Sequence, residues 1–283
     1  MKLSEFVFPK LTSFTGNIGF YFKDLQDKEI LEINGERVFS AASVIKIPLC
    51  LEVLEQCTQG RLDLSSDCPI TKSNRVGGTG VIQNLNERYI PTLAELITLA
   101  ISVSDNIATN ELIDIVGGPQ AVNNYCEKQG MKATRLQRKM LDLEARKAGK
   151  DNWMNVKEMG GLLENICNIV YGSDLQQKAK ILPLFKGMVM QQCRNKIPAK
   201  VPAMDYYDVT DTYLPSAQEV LVANKTGDLW STQNDVAICT LPNSAKYILA
   251  ICTDELEVAQ NGIELIGDLS KAVYTYMLEK YAL

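Results

Sequence analysis

Apolar and polar positions alternate between Gly16 and Ser40, in Ile18-Gly19-Phe20-Tyr21-Phe22, Glu29-Ile30-Leu31-Glu32-Ile33 and Arg37-Val38-Phe39. That period belongs to strands, and Asn34-Gly35 between the last two predicts a hairpin turn. From Val44 to Met190 the apolar spacing lengthens to helical, predicting helices over 92–100, 107–116, 156–170 and 175–190. Strand patterning returns at 220–225, 235–240 and 246–253, and an amphipathic helix follows from about Asn261 to Tyr281. The expected fold is α+β, of a two-lobed sandwich type. An antiparallel sheet drawn from both chain ends is flanked by helices, and an all-helical lobe is inserted between them. The 283 residues are read as one unit, with 1–40 and 195–283 as the sheet lobe and 41–194 as the helical lobe.

Composition narrows what such a fold could serve. At 46% hydrophobic and 22% charged residues the chain can bury a substantial core, which excludes disordered and fibrous classes. A net charge of −5 with no basic cluster leaves no footprint for nucleic acid. Apolar runs are broken by Lys46, Glu52 and Glu95 well short of the ~20 residues a membrane span requires. The first ten residues lack the apolar core and small-residue cleavage site of a secretory signal, so a cytoplasmic location is expected; a processed leader would imply secretion or the periplasm. Eight scattered cysteines include no C-x-x-C pair, and neither a metal nor a cofactor is spelled out. Burial as small hydrophobes is the expectation for them, with disulfides only in an exported protein. Histidine is absent. The usual general base of serine and cysteine hydrolases is therefore missing, and any base must be Lys, Glu, Asp or Tyr.

Three short motifs bear on that question. Ser43-Val44-Ile45-Lys46 is the one place where Lys follows Ser by three residues, ahead of a nearly all-apolar helical stretch. Helix capping is the ordinary role for such a Ser, yet Lys46 one turn on shares its face. Ser104-Asp105-Asn106 lies between two predicted helices, where capping residues are again expected. Lys225-Thr226-Gly227 closes an apolar strand, with a turn as its plain reading. Each of the last two tripeptides arises by chance in roughly one chain in ten to twenty at average composition, so all three in this order exceed accident.

With these residues in this order the sequence resembles the class A serine β-lactamases and the wider penicillin-recognising enzymes. The resemblance extends over Gly77-Gly78-Thr79-Gly80, Thr92 to Leu96, Asn110-Glu111-Leu112-Ile113, Gly117-Gly118 and Arg135-Leu136-Gln137-Arg138. It implies a β-lactamase/transpeptidase-like fold and a small acyl-amide substrate, a β-lactam first of all. Ser43 would be the nucleophile, Lys46 its proton acceptor or relay, and Ser104 the proton donor to the leaving nitrogen. The oxyanion would sit between the backbone N–H groups of Ser43 and Asp228. Asn106 would orient the substrate's side-chain amide, with Lys225 and Thr226 on its carboxylate and Gly227 beside them. A lysine of ordinary pKa is neutral in only about one molecule in 2,500 at pH 7, so a base role for Lys46 requires burial and a nearby cation, for which Lys225 is the candidate.

The family pattern is broken in three places. Met140 stands where a deacylating Glu is expected, and Glu144, four residues on, is the displaced candidate for activating water. No Arg follows Arg194, which leaves the second cation of the carboxylate subsite without a counterpart. The stretch 204–216, with Asp205, Tyr206, Tyr207, Asp208, Asp211 and Tyr213, lengthens the path to Lys225 and reads as a solvated loop or a wall tuning substrate choice. The functional expectations are a β-lactam hydrolase, a penicillin-recognising peptidase, amidase or esterase with slow β-lactam turnover, or a non-catalytic β-lactam-binding module. Antibiotic resistance follows from the first. The sequence is silent on oligomeric state.

Overall fold

A computed structural model describes residues 2–204 and 219–283 of the chain. In chain order its strands are β1 (Asn17–Asp24), β2 (Ile30–Ile33), β3 (Phe39–Ser40), β4 (Trp153–Met154), β5 (Leu221–Leu229), β6 (Thr232–Thr240) and β7 (Lys246–Asp254). The helices are α1 (Leu3–Leu11), α2 (Lys46–Thr58), α3 (Leu93–Ser102), α4 (Asn106–Ile115), α5 (Pro119–Lys128), α6 (Leu143–Lys147), α7 (Val156–Val170), α8 (Leu175–Val189) and α9 (Ala259–Tyr281). Contacts divide the chain into a first unit of Met1–Val44, Asn155–Asn165 and Cys193–Leu283 and a second of Ile45–Met154 and Ile166–Gln192.

The first unit is built on a five-stranded sheet in the order β2-β1-β7-β6-β5. All its ladders are antiparallel, with Tyr21 opposite Ala250, Ala237 opposite Leu249, and Lys225 opposite Val236. The pairing of β1 with β7 joins both chain ends in one sheet, as the alternating patterns predict. One core joins α1 and α9 to this sheet: Leu3 and Val7 cluster with Phe20, Phe22, Leu249, Val273 and Met277.

Two local expectations are corrected. The chain opens with α1, a helix hidden from periodicity by its shortness and by Pro9 within it. The hairpin expected at Asn34-Gly35 is not formed in the sheet: β2 pairs with β1, and β3 lies outside the five-stranded order. Asn34 instead takes a φ of +50° and donates its side-chain amide to Ile18 O at 2.8 Å, ending β2 in a bend.

The second unit is helical, with α2 packed on α5 and α8, and α3 on α4 and α8. The helices predicted over 92–100, 107–116 and 175–190 appear in it within one or two residues of their expected limits, and the one predicted over 156–170 forms as α7, divided between the two units. Residues 205–216 lie outside the described residues. Among those described, no helix is long and apolar enough to cross a membrane, and no two cysteines form a disulfide.

Candidate active site

Ser43 sits in a 3-10 turn, Ala42–Ile45, that runs straight into α2. It does not cap that helix; Ile45 occupies the cap position without a side-chain bond. Ala42 enters the turn at φ +45°, a left-handed conformation that costs a non-glycine residue about 1–3 kcal/mol and gathers at functional sites. Strand β5 passes close to this turn. A Cβ on Gly227 would lie 2.8 Å from Ala41 O, 3.1 Å from Val44 Cγ2 and 3.2 Å from Ala42 Cβ, so the approach requires glycine. Asn234 of β6 ties the same turn down by donating Nδ2 to Ser40 O at 2.8 Å. The turn bearing Ser43 is thereby fixed against Lys225-Thr226-Gly227-Asp228.

Lys225 is fully buried and donates to Thr226 O at 2.9 Å. Burial lowers its pKa to about 8, against the pull of Asp228 and Asp235, which favour its charged form. Asp235 is also fully buried, and desolvation raises its carboxyl to about 6. Its oxygens accept from Asn224 Nδ2 at 3.0 and 3.2 Å and from Ile197 N at 3.0 Å. That last bond pins the 3-10 turn Ile197–Lys200 beside the sheet, and with it a residue that motif reading missed. Lys196 is wholly buried, and its ammonium meets Asp228 Oδ1 at 2.7 Å, Asn234 O at 3.2 Å and Gly227 O at 3.4 Å. The second cation near Lys225 is thus a lysine from upstream, where an arginine from a later strand was sought.

In the second unit Lys46, the first residue of α2, has no solvent exposure. Its Nζ donates to Ser104 O at 2.7 Å, Ser104 Oγ at 3.0 Å and Asn106 Oδ1 at 3.1 Å. Ser104 itself holds a φ of +54°, a second strained non-glycine residue at a predicted site position. Asp105 explains how this strain is held. It caps α4 by accepting from Ile107 N and Ala108 N at 2.9 and 3.0 Å, and its other oxygen accepts from Val81 N and Ile82 N at 2.7 and 2.8 Å. The loop Gly77-Gly78-Thr79-Gly80 is drawn onto the motif: Thr79 donates Oγ1 to Ser104 O at 2.7 Å, and a Cβ on Gly80 would collide with Asp105.

Met140 and Glu144 part company. The Met140 backbone is clamped by Asn110, whose Oδ1 accepts from its N–H at 2.7 Å and whose Nδ2 donates to its carbonyl at 3.2 Å. The same loop is fastened by the buried pair Arg138–Asp151 at 2.6 Å. Met140 is 7% exposed. Glu144, by contrast, lies on the short α6 with its side chain 85% exposed, paired to Lys147 Nζ at 2.8 Å. It makes no bond to Lys46, Ser104 or Asn106. The water-activating role expected of Glu144 therefore has no geometric support: its helical turn presents the carboxylate to solvent and to an i,i+3 lysine.

Two groups of the predicted residues are thus assembled. One holds Ser43's turn with Lys225, Thr226, Gly227 and Asp228; the other holds Lys46 with Ser104 and Asn106. One helical turn of continuous chain, Ser43 to Lys46, joins them. Among the described residues no cluster of three Cys, Asp or Glu side chains is arranged to hold a metal ion.

The sequence pattern of the beta-lactamase enzyme family matches residues 2–277. The extended-spectrum β-lactamase PER-1 of Pseudomonas aeruginosa is 26% identical over 271 residues, spanning 90% of this chain and 80% of that protein. Among solved structures, a β-lactamase from Sphaerobacter thermophilus is 26% identical, with a TM-score of 0.79 over 97% of this chain and 96% of that one. A PBP-A mutant caught as an acyl-enzyme complex with penicillin G shares the fold at 21% identity, with a TM-score of 0.82 over 98% of this chain and 96% of that one.

Proposed function

The chain belongs to the beta-lactamase enzyme family, and from that premise we propose that it opens β-lactam amides through an acyl-enzyme on Ser43. It is a serine hydrolase of the class A type. The observation that carries the residue assignment is Lys46, a wholly buried amine one turn from Ser43 and 3.0 Å from Ser104 Oγ. In a chain without histidine, that burial and sequence proximity support Lys46 as the group that moves the nucleophile's proton.

The steps are those that the resemblance to this family implies for these residues. Ser43 Oγ attacks the lactam carbonyl carbon while its proton passes to Lys46 Nζ. Negative charge developing on the carbonyl oxygen is met by the backbone N–H groups of Ser43 and Asp228. The C–N bond breaks as Ser104 Oγ gives its proton to the leaving nitrogen, and Lys46 reprotonates Ser104. Asn106 orients the side-chain amide of the substrate, while Lys225 and Thr226 face its carboxylate. Water then cleaves the Ser43 ester.

A Lys46→Ala variant tests the assignment directly. Opening of a chromogenic β-lactam should slow by ~10²–10⁴, the usual worth of a positioned proton acceptor, with the circular dichroism spectrum unchanged. A wild-type rate in that variant contradicts it.

A second reading keeps acylation and makes release slow, as in a penicillin-recognising peptidase, amidase or esterase. Met140 favours it: a thioether held where the family pattern expects a carboxylate cannot accept a proton from water. Only the lifetime of the acyl-enzyme separates the two readings.

A further inference from the structure

Lys196 takes no step in the proposed reaction. Its ammonium has three protons and three acceptors: Asp228 Oδ1 at 2.7 Å, Asn234 O at 3.2 Å and Gly227 O at 3.4 Å. A fully buried lysine is costly unless its charge is met in place, and here every acceptor belongs to one of two neighbouring strands, β5 and β6. The chain beside it is fixed from both sides. Ile197 N donates to the buried Asp235 at 3.0 Å, and Ile197 O accepts from Ser270 Oγ of α9 at 2.7 Å.

These contacts hold one peptide above all. Gly227 of β5 and Asn234 of β6 are register partners, and one ammonium reaches both carbonyls, so the Gly227 carbonyl lies on the β6 side of its strand. In a trans peptide the N–H points away from the C=O. The N–H of this peptide is that of Asp228, and it therefore faces the outer edge of β5, the last strand in the sheet order. It is the N–H that the proposed reaction places at the oxyanion. Lys196 grips its peptide from the opposite end, and a cation on a carbonyl oxygen strengthens the N–H across the same peptide as a donor, as linked hydrogen bonds polarise one another. The remaining contact leads to the other donor. Asn234, whose carbonyl Lys196 holds, donates Nδ2 to Ser40 O at 2.8 Å and so ties down the turn that carries the Ser43 N–H. All of these residues lie in the first unit.

We propose that Lys196 is a positioning residue of the oxyanion site: it holds the Gly227–Asp228 peptide by its carbonyl end, aims the Asp228 N–H at the developing negative charge, and through Asn234 keeps the N–H of Ser43 in place beside it. This rests on the reading of Ser43 as the acylated nucleophile. Lys196 itself touches no reacting atom. Its effect falls on the barrier to acylation and on the polarisation of the acyl ester.

The test compares wild type with Lys196→Met, which keeps much of the side chain's length and removes its charge and donors. A double variant, Lys196→Met with Asp228→Asn, leaves no carboxylate without its counter-ion and decides the matter where the single one does not fold. Two readings are taken with penicillin G labelled isotopically at the lactam carbonyl carbon. One is the rate of Ser43 acylation by intact-protein mass spectrometry; the other is the infrared stretch of the Ser43 ester carbonyl. Donors aimed at that oxygen lower the stretch, so the second reading reports on the oxyanion site itself. Both variants should acylate ~10²-fold more slowly, the order expected of a small misplacement near the reacting centre, and their ester stretch should move to higher wavenumber. A wild-type rate in a folded variant overturns the proposal. A slow variant whose ester stretch stays at the wild-type position also overturns it, because Lys196 would then support the fold and not the donors. Absence of a Ser43 adduct in wild type is a different result: it overturns the acyl-enzyme reading itself, and the inference with it.

Discussion

Lys225 is a site residue whose charge burial displaces from its ordinary range, and the consequence is a pH profile. A buried lysine with its pKa lowered to about 8 is cationic below that value and neutral above it. Asp235, raised to about 6 by burial, is neutral below that value and negative above it. Both changes remove positive character as pH climbs, so the preference for an anionic substrate over its neutral ester should decline through about 6 and again through about 8. Measuring the acid-to-ester acylation ratio across that range checks this; a flat ratio contradicts it. Using the ratio removes the separate effect of Lys46, whose amine accepts a proton for either substrate under the proposed mechanism. At this scale the sequence was legible where chemistry is local. Motif spacing singles out Ser43, Lys46, Ser104, Asn106 and Lys225 as candidates. It passes over Lys196, because Arg194-Asn195-Lys196 is an unremarkable polar run until the bond from Ile197 N to Asp235 brings it to the sheet.

Elements decide the fate of the acyl-enzyme. The loop carrying Met140 is held by Asn110 and by the Arg138–Asp151 pair, so a side chain at position 140 is presented from a fixed backbone. Met140→Glu should therefore supply the missing carboxylate and speed loss of a preformed penicillin adduct by ~10²–10⁴, while Glu144→Gln should leave that rate unaltered. Following the decay of the adduct mass in each variant distinguishes them, and slower decay in Glu144→Gln would restore the role that the exposed Lys147 pair denies it. Resemblance located this loop but could not orient α6, since one acidic residue among Arg146 and Lys147 carries no directional signal. The hairpin misread at Asn34-Gly35 has the same origin: turn propensity marked a bend without specifying which strands it joined. α1 was missed because nine residues with an internal proline give too short a period to recognise.

Across the whole chain, the order β2-β1-β7-β6-β5 explains how distant segments serve one chemistry. Pairing of β1 with β7 commits both ends of the sequence to one sheet, and Lys280 near the C-terminus reinforces this by bridging Asp24, Asp27 and Glu29 at 2.6–2.7 Å. The register of β5 on β6 sets Thr226 opposite Asp235, and the glycine after Thr226 lets the strand reach the turn that bears Ser43. That much was foreseeable from alternation at the two chain ends, since hydrophobic period reports which segments are strands. The close approach at Gly227 was not, because steric fit depends on partners far away in sequence. The central claim is that Ser43, at the end of this arrangement, is the acylated nucleophile. Its most direct test is the mass of the intact protein after exposure to penicillin G, with the modified peptide then located. The account predicts one covalent equivalent on the peptide containing Ser43, absent from Ser43→Ala; an adduct that persists in that variant, or that falls on a cysteine, contradicts it.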